Sequence, residues 1–427
     1  VLRQQLAGRG DLVVINSCAV TAETERQVKQ SLRKWRKQAP DKKIIITGCS
    51  AQVNTKQYEQ MAEVDMVWGN AEKLAPRETL ARTSINPDHH HDNGPPPIKR
   101  VQVSNIMALR ELSPHFLKID GEQTRAFLEI QNGCNHRCTF CIIPYGRGNS
   151  RSHPSARIVA EAAQLVKNGF QEIVLTGVDI ASWRETVGDK THALPYLISQ
   201  LLTGVPDLKR LRLSSLDPAE ITPDLMALFE PTATNGRLLP HIHLSLQAGN
   251  DLILKRMKRR HLRADIINLV ATLRARNPSI TFGADIIAGF PTEDETMFQD
   301  TLRLVKSIPI IFGHIFPYSE RTGTPAAKIK NKVDIATRKK RAGQLRAACT
   351  ANLHHWQQQQ QGAVQHILVE QDSDGFLLGH NEYFGYVKAA TNMTQNPTIG
   401  HNYSRKGRIL PVKITGHSAE GLLAQCL

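Results

Sequence analysis

Residues 134–141 read Cys134-Asn135-His136-Arg137-Cys138-Thr139-Phe140-Cys141, with three residues in the first gap between cysteines and two in the second. Thiolates are soft ligands that select zinc or iron–sulfur clusters. A closed zinc site and a ferredoxin-type cluster each take four protein ligands. This run supplies three, and neither a fourth Cys nor a close His pair follows it. His136 reads better as a turn residue than as a ligand. Three thiolates on a four-iron cube leave one iron open to a small molecule with amino and carboxylate groups. An electron from the cluster can then cleave that molecule. A structural zinc loop, or a chance group of buried thiols, is the alternative reading of the same stretch.

From Arg125 onward the chain alternates strand and helix. Apolar runs bounded by turn residues place strands at Ala126–Ile130, Glu172–Thr176, Arg210–Ser214, His241–Leu246, Thr281–Ile287 and His314–Phe316. Amphipathic helices fall at about 155–168, 193–203, 222–229, 263–276 and 293–307. Six strands alternating with helices predict a partial, open (β/α)6 barrel. In such barrels the chemistry sits at the C-terminal ends of the strands. The cysteine loop follows the first strand at that end. So do the turns Thr176–Asp179, Ser214–Asp217, Ser245–Gly249, Ala288–Pro291 and Pro317–Ser319. Gly at such a turn permits positive φ or close backbone approach to a ligand. One turn alone is only a βα connection; five on one face, beside a cysteine loop, make a candidate site. Phe140, Gly177, Ser214, Gln247, Asp285 and Gly289 are its candidate cofactor-binding residues.

Upstream, Asp11–Asn16 and Lys43–Gly48 read as buried strands. Between them a helix opens at Thr21, a plausible N-cap without the full capping box, because the residue three further on is Thr24. It runs to about Gln38 and is broken at Pro40. A short helix at about 55–62 and a strand at Asp65–Trp68 complete a small βαβ domain. Cys18 and Cys49 each sit at the C-terminal end of a strand, where open α/β sheets bind ligands. On position alone, two buried structural thiols read equally well. Residues 83–99, with His89-His90-His91 and Pro95-Pro96-Pro97, read as a linker.

The chain has 427 residues, enough for two or three domains, and Lys+Arg of 54 against Asp+Glu of 39 gives a net charge of +15. That excess points to a polyanionic partner, most often nucleic acid. Lys255–Arg263 holds seven cationic or imidazole side chains, with no acidic residue between Asp251 and Asp265 to pair them. Lys255, Arg256, Lys258, Arg259 and Arg260 are therefore expected to contact RNA phosphates, in a track with Arg147, Arg151, Arg157 and Arg338–Arg341. A solvated helix face is the plainer alternative. A long helix at about 334–361 carries Cys349, read as packing. From Gly362 to Leu427 short strands separated by turns make a small β-barrel. Tyr383, Phe384, Tyr386 and Tyr403 with Lys388, Arg405 and Lys406 suit base stacking and phosphate contact, unless the aromatics are core. No run of 18 apolar residues is present, residues 1–15 lack a signal-peptide pattern, and 7 cysteines do not form a disulfide framework. No membrane span and a cytoplasmic location are expected.

The cysteine run, with Phe140 before Cys141, resembles the signature of the radical S-adenosylmethionine (SAM) enzymes. INSCAVT at 15–21 and ITGCSAQ at 46–52 resemble the N-terminal domain of the methylthiotransferase family. Gly379-His380-Asn381-Glu382-Tyr383 and the strand after it resemble the TRAM domain, an RNA-binding module. These domains occur in this order in the tRNA methylthiotransferases. CTFCIIPYGRGNSRS, LRLSSLD, LPHIHLSLQAG, LKRMKRRHLR, GADIIAGFPTE and FPYSERTGTPAAK resemble the branch acting on N6-threonylcarbamoyladenosine.

The resemblance implies an α/β multidomain chain. A methylthiotransferase domain with its linker would occupy 1–95, a radical-SAM barrel 120–355 and a TRAM-like β-barrel 360–427. It implies insertion of a methylthio group at C2 of the modified adenosine beside the tRNA anticodon, with SAM as both methyl donor and radical source. Cys134, Cys138 and Cys141 would hold one 4Fe-4S cluster. Cys18 and Cys49 match the second and third of three cysteines that hold a second, sulfur-delivering 4Fe-4S cluster. The first would lie upstream of Val1, so an N-terminal truncation and an incomplete second cluster are expected. An electron donor and a sulfur source are expected partners, and a monomer is the expected state. Other readings are the branch acting on isopentenyl-adenosine in tRNA and the branch acting on a ribosomal-protein aspartate. From another class, the chain could be an RNA-binding protein with a structural or electron-carrying cluster.

Overall fold

The computed structural model describes residues 10–74, 100–110, 112, 123–373, 375–391 and 404–427. The expected linker at 83–99 and Tyr403 lie outside the described residues. The chain forms two compact units, each assembled from separated segments. Unit one takes Val1–Lys118, Asn132–Arg151 and Ser319–Lys328; unit two takes Ile119–Gln131, Ser152–Tyr318 and Ile329–Leu427.

Unit one is built on a parallel sheet, β1 (Leu12–Ser17), β2 (Lys43–Gly48), β3 (Met66–Trp68) and β4 (Val101–Gln102), paired in that order. The fourth strand, two residues long, was not predicted, because so short a run has no readable period. Helix α1 (Ala22–Gln38) starts where Thr21 accepts a hydrogen bond from the Thr24 N–H at 3.1 Å. It buries Val28 and Leu32, one turn apart, against the sheet. The helix expected at 55–62 is α3 (Thr55–Glu59), and a further short helix that was not predicted, α2 (Cys49–Val53), precedes it. α2 begins at the very end of β2 because Gly48 adopts φ +97°, where a Cβ would lie 2.3 Å from the Ser17 carbonyl oxygen. The segment 132–151 belongs to the same unit. Its helix α4 (Ile143–Arg147) packs Ile142 against Ala19 and Cys49. The segment 319–328 is tied in by an Arg321–Glu25 ion pair and by the Ala22 N–H donating to Ser319 Oγ at 2.9 Å.

Unit two contains six parallel strands: β5 (Ala126–Glu129), β6 (Glu172–Thr176), β7 (Arg210–Leu213), β8 (His241–Gln247), β9 (Thr281–Ala288) and β10 (Ile310–Pro317). They form two three-stranded sheets joined by isolated bridges at Leu211–Leu238 and Leu216–Leu244, so spatial order follows chain order. This is the partial, open (β/α)6 arrangement. Helices α5 (Ser155–Lys167), α6 (Leu194–Gly204), α7 (Pro223–Ala227), α8 (Asp251–Arg256), α9 (Arg263–Arg276), α10 (Glu295–Ser307) and α11 (Ile335–Gln359) accompany them. One face of the strands, with Leu128, Leu175, Leu213, Leu244 and Ile286, joins the helices in a single core. An antiparallel hairpin at Arg184–Ala193 was not predicted; its residues are polar and largely exposed, so it leaves no apolar alternation to read. Cys349 is buried, pushed up to about 11 by that burial, and packs so close to Gly313 that a Cβ there would sit 2.5 Å from its sulfur.

After α11 the chain closes a five-stranded barrel from β11 (Val364–Ser373), β12 (Phe376–Asn381), β13 (Tyr386–Ala390), β14 (Ile409–Ser418) and β15 (Gly421–Cys426). Its core is Ile367, Val369, Leu377, Val387, Val412, Ile414 and Leu422. The C-terminal barrel docks on the N-terminal ends of the six strands. There Glu172, fully buried, faces Arg212 at 3.1 Å and Arg125 and Arg210 each at 3.6 Å. Burial alone would raise the Glu172 pKa, but these guanidiniums hold it below the usual carboxylate range. Arg125 also pairs with Glu370, Arg210 donates to the His366 carbonyl at 2.7 Å, and Arg212 donates to the Asn381 carbonyl at 3.2 Å. Phe384, at φ +67°, places its ring against His241 and Phe312 with the Arg212 guanidinium 5.0 Å above it. Among the described residues no helix is long and apolar enough to cross a membrane.

Candidate functional site

In unit one, Cys134, Cys138 and Cys141 lie partly exposed in one loop. The loop is closed by the Cys134 N–H donating to the Gly148 carbonyl and the Cys141 N–H donating to the Cys138 carbonyl, both at 3.0 Å. The His136 N–H points at Cys134 Sγ, 3.3 Å away. Phe140 is half-buried beside them. Three cysteines within eight residues are a donor set that fits a cluster with one open iron.

Cys18 is exposed at the end of β1, and Cys49 is buried at the end of β2. Arg147 Nε donates to Cys49 Sγ at 3.0 Å, and Asn70 Nδ2 stands 3.6 Å from the same sulfur while donating to the Gly146 carbonyl at 2.6 Å. A Cβ on Gly146 would lie 3.1 Å from Cys49 Cβ, so the glycine admits this close approach. The expectation that Arg147 belongs to a phosphate track is corrected: its guanidinium turns to a thiol. The sequence could not show this, because Cys49 and Arg147 are 98 positions apart.

In unit two the predicted strand-end residues all stand at C-terminal strand ends or just inside them. A Cβ on Gly177 would lie 2.5 Å from the Gln131 carbonyl oxygen, and Gln131 Oε1 accepts from the Asp179 N–H at 2.8 Å. Ser214, half-buried, donates its N–H to the Leu175 carbonyl. Gln247 holds φ +70°, an uncommon conformation for a residue with a side chain, where the β8–β9 register shifts. Gly289 holds φ +75° and donates its N–H to Glu293 Oε2 at 2.8 Å. Burial pushes Glu293 up to about 7, against the pull of that N–H and of Arg341 at 3.0 Å. Asp285 lies between His243 and His314, a grouping that the strand alternation hinted at through His241-Ile242-His243 but that needs the parallel register to see.

The basic stretch departs from expectation. It is not one helix face: α8 ends at Arg256, and Lys258 at φ +61° lies in the turn before α9. Nor is it unpaired. Arg259, almost fully buried, meets Asp217 at 3.0 Å and donates to the Ser245 carbonyl at 2.7 Å. Arg260 meets Asp217 at 3.2 Å and Glu220 at 2.9 Å. Burial alone would raise Asp217, but Arg259 and Arg260 hold it below its ordinary range. Arg256 donates to Thr292 Oγ1 at 2.7 Å. Lys255 and Lys258 remain exposed. In the C-terminal barrel, Tyr383 is half-buried near Trp356, and Phe384 belongs to the docking contact, not to a stacking surface. Lys388, expected to contact RNA, places its Nζ 4.5 Å over the exposed Phe376 ring, a neighbour the sequence did not single out.

Residues 128–305 match the Radical SAM superfamily, and residues 3–69 match a family described as Uncharacterized protein family UPF0004. The chain is 44% identical over 385 residues to the threonylcarbamoyladenosine tRNA methylthiotransferase MtaB of Rickettsia prowazekii, covering 90% of this chain and 86% of that protein. It is 31% identical over 429 residues to a tRNA-2-methylthio-N(6)-dimethylallyladenosine synthase of Desulfotalea psychrophila, covering 98% and 91%. Among solved structures it resembles the radical S-adenosylmethionine methyltransferase TsrM from Kitasatospora setae, with TM-score 0.51 at 15% identity over 76% of this chain and 68% of that one. At that identity the likeness bears on fold alone.

Proposed function

The chain belongs to the threonylcarbamoyladenosine tRNA methylthiotransferases within the radical SAM superfamily, and from that premise we propose how its residues divide the work. It is an enzyme that methylthiolates N6-threonylcarbamoyladenosine in tRNA with SAM and 4Fe-4S clusters as cofactors. The observation that carries this reading is the match along nine-tenths of the chain to a relative of that activity, 44% identical.

Cys134, Cys138 and Cys141 hold the SAM-cleaving cluster. When bound, that cluster and SAM would supply the radical chemistry that an adenine C2–H needs, since acid–base chemistry near neutral pH leaves it untouched. Phe140 packs beside the thiolates. Gly177, Ser214, Gln247 and Gly289 shape the strand-end turns that hold SAM and the target base, and the glycines let backbone approach the ligand. Cys18 and Cys49 serve the second cluster. Arg147 and Asn70 steady the Cys49 sulfur by N–H donation, the kind of outer support that orients a metal ligand. Lys255 and Lys258, with Lys388 and Arg405 and Lys406 of the TRAM-like barrel, hold RNA phosphates. The base leaves its stack to reach the strand ends.

The divisions at 1–95, 120–355 and 360–427 are part of this proposal. So are a cytoplasmic location, a monomer, an electron donor and a sulfur source. Nucleoside profiles of tRNA from cells with and without the gene test the function. Loss of 2-methylthio-N6-threonylcarbamoyladenosine supports it. Loss of the methylthio derivative of dimethylallyladenosine instead would move the chain to the neighbouring branch.

A further inference from the structure

The strand face turned away from the helices carries a polar cluster of which only Asp285 was expected to serve the site, as a cofactor-binding residue. His243 of β8, Asp285 of β9 and His314 of β10 lie side by side, because Gly283 is the register partner of His243 and His314 the partner of Asp285. His243 Nε2 and His314 Nδ1 each stand 3.3 Å from Asp285 Oδ1. The two imidazole centroids are 4.7 Å apart. The His243 ring lies against Gly283, where a Cβ would come within 2.3 Å of its Nδ1, so a larger residue would evict it. His243 is mostly buried, and its Nε2 makes no well-aligned hydrogen bond; His314 is 64% exposed. One layer toward the strand N-termini, His241, Thr281 and Phe312 are covered by Phe384 and the Tyr383 carbonyl. One layer toward the C-terminal ends stand Ser245, Ile287 and Phe316 on the same face. The cluster is thus the first polar layer above a closed floor.

We propose that His243, Asp285 and His314 bind the threonylcarbamoyl arm of the target adenosine and set the choice of modified base. This rests on the reading of the chain as a tRNA methylthiotransferase. The arm carries urea N–H and C=O groups, a hydroxyl and a carboxylate. Asp285 Oδ2 accepts from an N–H or the hydroxyl. His314 spends Nδ1 on Asp285 and keeps Nε2 outward, to accept from the hydroxyl or, as imidazolium, to donate to the carboxylate. A hydrocarbon arm such as dimethylallyl would offer nothing to Asp285 Oδ2 or His314 Nε2. Sites built to hydrogen-bond a substrate group reject analogues lacking it by about 10⁴–10⁵. A metal ion is the other occupant that two imidazoles and a carboxylate can hold. The three ligand atoms lie within 4.8 Å of one another, so metal content is measured beside product in the test that follows.

The test titrates the intact protein with anticodon stem–loops carrying N6-threonylcarbamoyladenosine or plain adenosine at the same position. Methylthio product is measured on the first. Wild type should prefer the modified stem–loop by about tenfold or more. His314→Phe and Asp285→Asn should lose that preference, with KM rising more than kcat falls. His314→Gln should restore part of it. An undiminished preference in both His314→Phe and Asp285→Asn overturns the proposal. So does a metal beyond cluster iron that wild type binds and His314→Phe loses. A wild type that makes no methylthio product from any tRNA defeats the functional reading itself. Product formation without preference for the modified arm defeats only this proposal.

Discussion

Cys138 and Glu293 carry the two most direct tests at the scale of single residues. Cys138→Ala removes one of three thiolates from an already incomplete ligand set, so reduced protein given SAM should release no 5′-deoxyadenosine. A normal yield would refute the assignment of the loop. Glu293 concerns stability. Its carboxyl has an ordinary value of 4.5 and is pushed up to about 7 in the fold, where burial outweighs the ion pair with Arg341. A carboxyl raised on folding contributes stability that is complete below about pH 4.5 and is lost as pH climbs through about 7. Glu293→Gln should therefore flatten the decline in unfolding temperature across that window. Equal slopes in variant and wild type would mean that the carboxyl is already ionised in the fold. His261 opposes it: burial lowers it to about 4, so its contribution is present above its ordinary 6.5 and lost as pH falls through about 4. The two effects acting in opposite directions make the Glu293→Gln comparison, not the raw pH profile, the informative measurement.

At the scale of elements, the basic stretch shows where sequence reading succeeds and where it stops. The six strands were legible because each carries apolar residues, in a run or at alternate positions, and ends in a turn, and the cysteine loop was legible from its spacing. Pairing was not: Asp217 and Glu220 reach Arg259 and Arg260 across about forty residues, through a loop the sequence places but cannot aim. His243 and His314 were missed for the same reason, since register decides which strand residues become neighbours. These contacts separate the arginines from the lysines by experiment. Arg259→Ala leaves the buried Asp217 with only the partly exposed Arg260 as its cation and should cost up to about 3 kcal/mol in denaturant unfolding. Lys255→Ala and Lys258→Ala, both exposed, should change stability by no more than about 0.5 kcal/mol. Each lysine that touches a phosphate should lower the slope of log affinity against log salt by about 0.7–0.9. A salt slope unmoved by the double lysine variant would place the RNA elsewhere.

For the molecule as a whole, the C-terminal barrel reads in sequence as a separable module, and the structure of unit two says otherwise. Arg125, Arg210 and Arg212 converge on the buried Glu172, and Phe384 fills the floor beneath His241. Removing residues 360–427 would open that floor and expose His241, which burial first of all holds neutral, its pKa well below the ordinary range. The truncated chain should unfold at lower temperature and aggregate. A truncated chain as stable as the intact one, still cleaving SAM, would show the docking to be incidental. Phe384→Ala removes a half-buried ring and should cost less than the roughly 3–5 kcal/mol usual for a fully buried phenylalanine, measured by thermal or denaturant unfolding. The interlock also has a consequence for how a nucleotide is picked from a long RNA. A module held by buried ion pairs has no hinge to spend, so the span from the lysines proposed to contact RNA to His314 is a fixed length. With RNA held on those lysines, the protein would act as a gauge, in which distance along the RNA preselects the nucleotide.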